Sequence, residues 1–245
     1  SVAGVVRAHL QAKRCGLKLI IGAEFRLNAA SKLVLLARNR DAYGNLCELI
    51  TRARRGAKKG EYAITPADFE HGLTDCLAII VALAQPDEQA AQWLMRYFPQ
   101  RAWLAVELLF GPDDAAHLAD CEAIARATGI ALVASGDVHM HVRARRRVQD
   151  VLSAIRFGTT VNAAGAPLYA NSERYLRPLA RLAQLYPPEL LAETLNIADQ
   201  CKFALDELRY EYPEEIVPPG ETPASHLRKL TYEGMSERYR RPGIS

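Results

Sequence analysis

The sequence lacks the short motifs that mark the most common nucleotide-binding and hydrolytic sites. It contains no G-x-x-x-x-G-K-S/T phosphate-binding loop, no G-x-G-x-x-G after an apolar run and no G-x-S-x-G turn. The sequence therefore gives no support for three classes of protein, namely P-loop nucleoside triphosphatases, dinucleotide-binding proteins and serine hydrolases.

Long apolar runs, paired cysteines and a large net charge are also missing. No apolar stretch reaches the about 18 to 20 residues of a membrane span, and the first residues do not resemble a signal peptide. The five cysteines lie far apart without a C-x-x-C pair, which indicates free thiols in a reducing compartment. The formal charge of +3 is too small to indicate a polyanion-binding protein by itself. We therefore expect a cytoplasmic protein with no membrane partner.

Apolar content is sufficient for a core, and its pattern predicts an α/β fold. About half of the 245 residues are apolar (49%), which allows one large domain or two small ones. Short runs rich in Val, Ile and Leu alternate with helical patterns, and these runs are LKLIIGAEFRL, KLVLLARN, CLAIIVAL, WLAVELL and ALVAS. Such alternation predicts a parallel sheet or a (β/α) barrel, whose sites gather at the carboxyl ends of the strands.

Helical patterns flank these strands at both ends of the chain. The opening stripe of Val2, Val5, Val6 and Leu10 ends in KRCG, and no residues precede it to cap or cover it, so we expect a start cut from a longer protein. Past residue 143 the patterns predict helices at roughly 143–157, 173–185 and 188–201. The proline-rich and glutamate-rich segment YEYPEEIVPPGETP predicts a linker, and a last helix begins at Thr222 and Pro223.

Three residues at predicted strand ends are candidate metal ligands. Glu24 follows LIIG, and Asp137 and His139 follow LVASG. The alternate spacing directs the side chains of Asp137 and His139 to one side of an extended backbone, and carboxylates and imidazoles bind zinc, manganese or iron. His141 either joins them or starts the next helix. A lone D-x-H is common, so a structural role for these residues remains open.

A cluster of arginines follows directly. Arg143, Arg145, Arg146 and Arg147 lie in the first turn of a predicted helix, where cations oppose the helix dipole. They are candidates for binding a nucleic-acid phosphate backbone or an acidic partner, and a solvated basic face is the more frequent alternative. Glu107 and His117 receive no role beyond packing or solvation.

Four motifs resemble one known family. GLKLIIGAEF, LVLLARNRDAYGNLCELIT, VASGDVHM and the stretch from ADQCKF to YEGM are similar to the polymerase-and-histidinol-phosphatase (PHP) domain that begins bacterial C-family DNA polymerases, closest to the error-prone branch. The resemblance implies a distorted (β/α)7 barrel with a metal cluster at the carboxyl ends of the strands. The expected metal ion is zinc or manganese. It matches Asp137 and His139 to the last pair of metal ligands and Glu24 to an earlier one.

The departures from the family pattern concern the same site. The first two ligand motifs, a His-x-His strand and an Asp-His strand, belong upstream of residue 1, so the barrel is expected to lack its first two strands. Lys32 stands where metal-binding relatives have a histidine, and LLFG around Phe110 stands where they have another ligand. A lysine ammonium repels a metal ion, so we expect a degenerate site.

The resemblance also implies an organisation and a function. It implies a truncated barrel at 1–142, a helical extension at 143–203, and at 204–245 a linker and first helix toward the polymerase palm and thumb. The parent would be a DNA-directed DNA polymerase (a nucleotidyltransferase) in damage-induced mutagenesis, DNA repair and translesion synthesis, with two magnesium ions in a palm that is absent here. We expect the piece alone to be structural and not to polymerise.

Two alternatives and several partners remain open at this stage. One alternative is an active metal-dependent phosphoesterase or 3′–5′ exonuclease, and the other is a pure protein-interaction module. The expected partners are the rest of the polymerase chain, DNA and mutagenesis accessory proteins. Self-association is also expected, because unprotected edges of a truncated barrel pair with other chains.

Overall fold

The computed structural model describes residues 2–28, 30–69, 73–83, 85–165, 167–209 and 217–239. The chain divides into two compact units, Ser1–Glu207 and Leu208–Ser245. Among the described residues, no helix has the length and apolar character to cross a membrane.

The first unit is built on one five-stranded sheet, and all the predicted strands are confirmed. In both chain and spatial order the strands are β1 (Gly22–Arg26), β2 (Ser31–Ala37), β3 (Cys76–Ala82), β4 (Ala102–Glu107) and β5 (Ala131–Ser135). A mixed α/β fold is therefore established, while the distorted (β/α)7 barrel lacking its first two strands, which the resemblance implied, stays a prediction.

Strand direction differs from the expectation of a parallel sheet. β3, β4 and β5 are parallel, but β2 runs antiparallel to both β1 and β3. The parallel prediction is wrong for β2 because only residues 27–30 connect it to β1, and so short a link joins antiparallel strands. As a result Ser31, at the start of β2, lies opposite Ala82, at the end of β3. The amino end of β2 thus shares an edge with the carboxyl ends of its neighbours.

Both units contain helices. They are α1 (Val5–Cys15), α2 (Arg40–Arg55), α3 (Glu88–Tyr97), α4 (Asp114–Thr128), α5 (Arg146–Arg156), α6 (Val161–Ala164), α7 (Leu179–Leu185), α8 (Pro188–Gln200) and, in the second unit, α9 (Pro223–Tyr239). Local sequence explains several ends. The Asn39 side chain accepts a hydrogen bond from the Ala42 amide at the start of α2, and Gly16 ends α1 in the left-handed conformation.

The predicted helix at 173–185 is wrong over its first half. Residues 173–178 are not helical, and α7 begins only at Leu179. Pro178 explains the late start, because the residue before a proline is disfavoured in helical geometry. The preceding segment pairs instead with the chain after β5, through a parallel β-bridge between Met140 and Tyr175. This pairing places Arg174 beside the strand ends.

The hydrophobic core lies on both faces of the sheet. On one face, buried side chains of β2 and β4 such as Leu33 and Leu104 pack with Leu46 and Leu49 of α2. On the opposite face, a smaller cluster joins Leu77, Trp103 and Val133 of the sheet to Ile197 and Cys201 at the end of α8. Burial on both faces agrees with the uninterrupted apolar strand sequences.

The apolar stripe at the start of the chain is only partly covered. Val2 and Val5 pack against the core, whereas Val6 and Leu10 of α1 are exposed. The last helix starts at Pro223 as predicted, and the first half of the predicted linker, residues 210–216, lies outside the described residues.

Candidate functional site

Charged side chains converge at the edge where β2 begins and the other strands end. We call this group the sheet-edge cluster, and its members are Glu24, Lys32, Glu107, Asp137, His139, Tyr169 and Arg174. The structure thus brings the three predicted metal-ligand positions into one region, together with four residues from which no ligand role was expected.

Lys32 lies at the centre of the cluster because β2 is antiparallel. In the register of β1 and β2, Lys32 is opposite Arg26, so Glu24 is its diagonal neighbour on the same face. The Lys32 Nζ lies 3.3 Å from Glu24 Oε2 and 3.0 Å from Asp137 Oδ1, and its side chain is only 10% exposed. A buried ammonium therefore bridges two of the three candidate ligands.

Asp137 is neutralised on its other oxygen as well. Its Oδ2 accepts a hydrogen bond of 2.7 Å from Arg174 Nε and lies 3.2 Å from His139 Nε2. Burial alone would raise the pKa of this carboxyl group. The hydrogen bonds from Arg174 and Lys32 outweigh burial and lower the pKa to about 2. Asp137 is consequently ionised at neutral pH, with cationic partners on both oxygens.

His139 and Tyr169 form the rim of the cluster. The Tyr169 hydroxyl lies 2.9 Å from His139 Nε2, and the Arg174 guanidinium stacks 4.3 Å from the centre of the Tyr169 ring. His141, for which a ligand role was open, is exposed and has no hydrogen bond or ion pair in the part of the chain that the structure describes. The histidine that joins the site is therefore His139.

Glu107 is a cluster member that sequence reasoning left to packing or solvent. It ends β4 opposite Ser135 of β5, whose Oγ donates a hydrogen bond of 3.2 Å to Glu107 Oε1. Burial and the nearby Asp137 charge raise the pKa of Glu107, and the attraction of Lys32 and Arg174 offsets part of that rise. Its position at a strand end was the available sequence signal.

Arg174 and Tyr169 were missed because a long connection separates them from the strands. The Arg174 carbonyl accepts hydrogen bonds of 2.9 and 3.2 Å from the amides of His139 and Met140, which holds this segment against the chain after β5. Nothing in a sequence pattern predicts such a contact between non-neighbouring segments.

The loop around Phe110, where the family resemblance implied a further ligand in metal-binding relatives, is held by hydrogen bonds and a cation–ring contact. Asp114 accepts hydrogen bonds from the amides of Phe110 and Gly111, at 2.7 and 3.1 Å, and so closes this loop. The Arg181 guanidinium lies 4.2 Å from the centre of the Phe110 ring. The loop borders a cleft of about 490 Å³ that Glu107 and Arg174 also line.

The four arginines predicted to contact nucleic acid divide into two pairs. Arg143 binds the Glu173 carboxylate at 2.5 Å, and Arg146 donates a hydrogen bond of 2.7 Å to the Tyr169 carbonyl. The side chains of Arg145 and Arg147 are exposed, and neither side chain has a hydrogen bond or an ion pair among the described residues. Contact with DNA stays a prediction, and the geometry restricts it mainly to Arg145 and Arg147.

The residues of the cluster do not fit a zinc or manganese ion. Among the described residues, no three His, Cys, Asp or Glu side chains are grouped so that they could hold a metal. The space between Glu24 and Asp137 is taken by the Lys32 ammonium, and Arg174 covers the other oxygen of Asp137. A divalent cation would have to displace one cation and approach a second, at a high electrostatic cost.

Comparison with models of protein families identifies a domain in the amino-terminal half of the chain. The model of the PHP domain matches residues 1–121. Residues 1–121 are a PHP domain. Glu24, Lys32 and Glu107 belong to this matched part, whereas Asp137, His139 and Arg174 follow it in the sequence. The cluster thus ties the PHP domain to the segment after it.

Curated relatives extend the similarity to nearly the whole chain. The chain is 55% identical over 244 residues to an error-prone DNA polymerase of Dechloromonas aromatica (strain RCB) and 50% identical over 240 residues to one of Methylococcus capsulatus. Each alignment covers 98% of this chain but only 24% and 23% of the relative, respectively. The chain therefore spans about a quarter of the length of these relatives.

Proposed function

We propose that this chain is the PHP-containing part of an error-prone DNA polymerase and that its sheet-edge cluster stabilises the fold without metal-dependent hydrolysis. The polymerase assignment rests on the identity of 50 to 55% with relatives of that name over 98% of the chain. In this proposal the longer protein extends DNA during damage-induced mutagenesis and translesion synthesis, with residues outside this chain performing nucleotidyl transfer.

The observation that carries the structural role is the position of the Lys32 ammonium. It lies 3.3 Å from Glu24 and 3.0 Å from Asp137, in the place where two ligands of a metal would face the ion. A lysine there supplies one positive charge and hydrogen bonds, which neutralise carboxylates. It supplies neither a Lewis acid nor an activated water, which metal-dependent hydrolysis requires. The cluster accordingly supports ion pairing and gives no route to phosphodiester cleavage.

Metal analysis of the purified chain tests this proposal. After incubation with Zn²⁺ or Mn²⁺ and removal of free ions, we expect well below one bound metal per chain, and no cleavage of single-stranded DNA or of a phosphodiester model substrate. Asp75→Ala is the matched control for Asp137→Ala, because Asp75 also forms an ion pair, with Arg38 at 3.2 Å. Stoichiometric metal and activity that disappear in Asp137→Ala but not in Asp75→Ala would overturn the proposed role.

The polymerase assignment has its own test. The intact natural gene product should be about four times as long as this chain, as the relatives are, and should extend a primer. A natural product that ends near residue 245 would contradict this assignment and would leave the conclusion about the metal site unaffected.

A further inference from the structure

Helix α5 packs with its polar side toward the protein. Its buried or half-buried residues include Arg146, Asp150, Ser153 and Ala154. Arg146 bonds the Tyr169 carbonyl at 2.7 Å and lies 3.4 Å from Asp150, so its inward face is held by polar contacts. A surface helix of a globular protein normally shows the opposite arrangement, with apolar residues inward.

The apolar side of α5 is exposed. Val148, Val151, Leu152 and Ile155 are 46%, 47%, 57% and 69% exposed, respectively. Their spacing of three and four residues puts them on one face, which we call the α5 stripe. From Val148 to Ile155 is one heptad, with Val151 between them, which is the spacing of a seam that packs against another helix.

Exposed arginines border the α5 stripe on both sides. Arg147 and Arg156 are exposed, and at about 100° per residue they lie about 90° to either side of the middle of the stripe. Neither has an ion-pair partner in the described ranges of the chain. The stripe with its basic borders is therefore complementary to an apolar helix face with acidic borders.

We propose that the α5 stripe is the docking face for an amphipathic, acid-bordered helix located in the polymerase chain beyond these residues. This inference rests on the proposed polymerase function. The relatives are about four times as long as this chain, so about three quarters of their length can supply such a helix. Docking would remove from water a row of apolar side chains that the first unit leaves exposed.

Charge and polarity disfavour the other occupants. In a second copy docked through the same stripe, Arg147 and Arg156 would approach the same arginines of the partner copy, and like charges across an interface are unfavourable. A phosphate backbone would satisfy the arginines but would leave Leu152 and Ile155 uncovered, since nucleic acid binds through phosphate charge and base contacts. An acidic amphipathic helix satisfies both features.

Photo-cross-linking in the intact gene product tests the docking. A photoreactive phenylalanine derivative is placed at Leu152, and the control is the same group at Leu195, an exposed leucine of α8 that is 67% accessible. We expect Leu152 to cross-link within one molecule to a peptide beyond residue 245, with a yield about tenfold above that of Leu195. Cross-links to a second copy, cross-links confined to residues 1–245, or equal yields from the two positions would each overturn the inference.

Introducing a negative charge into the stripe provides the second measurement. Leu152→Glu places a carboxylate in the α5 stripe, and we expect limited proteolysis between this part and the rest of the polymerase to become about tenfold faster. Leu195→Glu should leave the rate near that of the unmodified enzyme. Equal rates for both variants would overturn the inference. The mass of the intact product and its primer extension test the polymerase assignment separately, so failure of one is distinguishable from failure of the other.

Discussion

Replacing Asp137 by asparagine isolates the electrostatic contribution of the sheet-edge cluster. Asparagine has nearly the same shape and tolerates the positive φ of 41° at this position. The pKa of Asp137 falls from 3.8 to about 2, because the hydrogen bonds from Arg174 and Lys32 outweigh burial. At about 1.4 kcal/mol per pKa unit, the ionised carboxylate stabilises the fold by about 2 kcal/mol relative to the neutral group. We expect Asp137→Asn to lose about this amount at pH 7.

The pH dependence of that loss follows from the direction of the pKa change. A carboxyl group whose folded-state pKa is lowered contributes its full stabilisation above the unfolded-state pKa, and the contribution is lost as the pH falls through the folded-state pKa. With values of 3.8 and about 2, the difference between the unmodified chain and Asp137→Asn should persist from pH 7 to about pH 5. About half of it should remain at pH 3, and little at pH 2.

Urea unfolding at pH 7, 4 and 3 measures this difference. The control is Asp75→Asn, since Asp75 also has a positive φ, of 64°, but its ion pair with Arg38 is more exposed, at 37% for each side chain. The control should lose less than about 1 kcal/mol. The argument is refuted if Asp137→Asn unfolds at the same urea concentration as the unmodified chain at pH 7, or if its deficit is unchanged between pH 7 and pH 3.

Two further substitutions test neighbouring parts of the site. Glu107→Gln should raise the melting temperature at pH 7 to 8, because burial and Asp137 raise the pKa of Glu107 and so make its charged form costly. This gain in melting temperature should vanish near pH 4. A lower melting temperature of the variant at pH 7 would contradict the prediction. Tyr186→Phe should lower the free energy of unfolding in urea by about 1 to 3 kcal/mol. The buried Tyr186 hydroxyl accepts a hydrogen bond of 3.0 Å from the Leu108 amide and donates one of 2.5 Å to the Ser135 carbonyl. A change below about 0.5 kcal/mol would contradict the role of these hydrogen bonds.

The strands were predictable, and the direction of one strand was not. Uninterrupted runs such as CLAIIVAL indicate buried strands by composition alone, and β3 follows this run closely. The direction of β2 depends on the short link at 27–30. A pattern of alternating strands and helices does not predict such a direct connection between two strands. That direction has a functional consequence, because it places Lys32 among the strand carboxyl ends.

The site could be predicted only where its residues follow apolar runs in the sequence. Glu24, Asp137 and His139 follow apolar runs, and this position in the sequence predicts that they lie at one edge of the sheet. Arg174 lies in the helix predicted at 173–185, Tyr169 precedes that helix, and only tertiary contacts with the chain after β5 bring both into the site. Sequence periodicity describes which residues share a face, and it does not identify the segment against which that face packs.

Helix α5 shows the same limit more clearly. Periodicity in RRVQDVLSAIR correctly groups its apolar residues on one side. The usual rule would then put this side inward, but the inward contacts of Arg146 with Tyr169 and Asp150 hold the helix the other way round. The preference for an apolar interior is an average over whole domains, and a helix that docks on a further domain satisfies it only in the complete protein.

Two cationic side chains balance the charge of the carboxylates at the sheet edge. Glu24, Glu107 and Asp137 would repel one another if no cation lay between them, and desolvation would add to that cost. Lys32 and Arg174 provide two permanent positive charges, and each is in contact with Asp137. If one of the two cationic side chains is removed, the other still contacts Asp137, and the negative charge of the carboxylates is less well neutralised. We therefore expect that no single substitution converts this arrangement into an open metal site. The two cationic side chains therefore compensate the carboxylates of the sheet-edge cluster, and we expect that opening a metal site here requires at least two simultaneous changes.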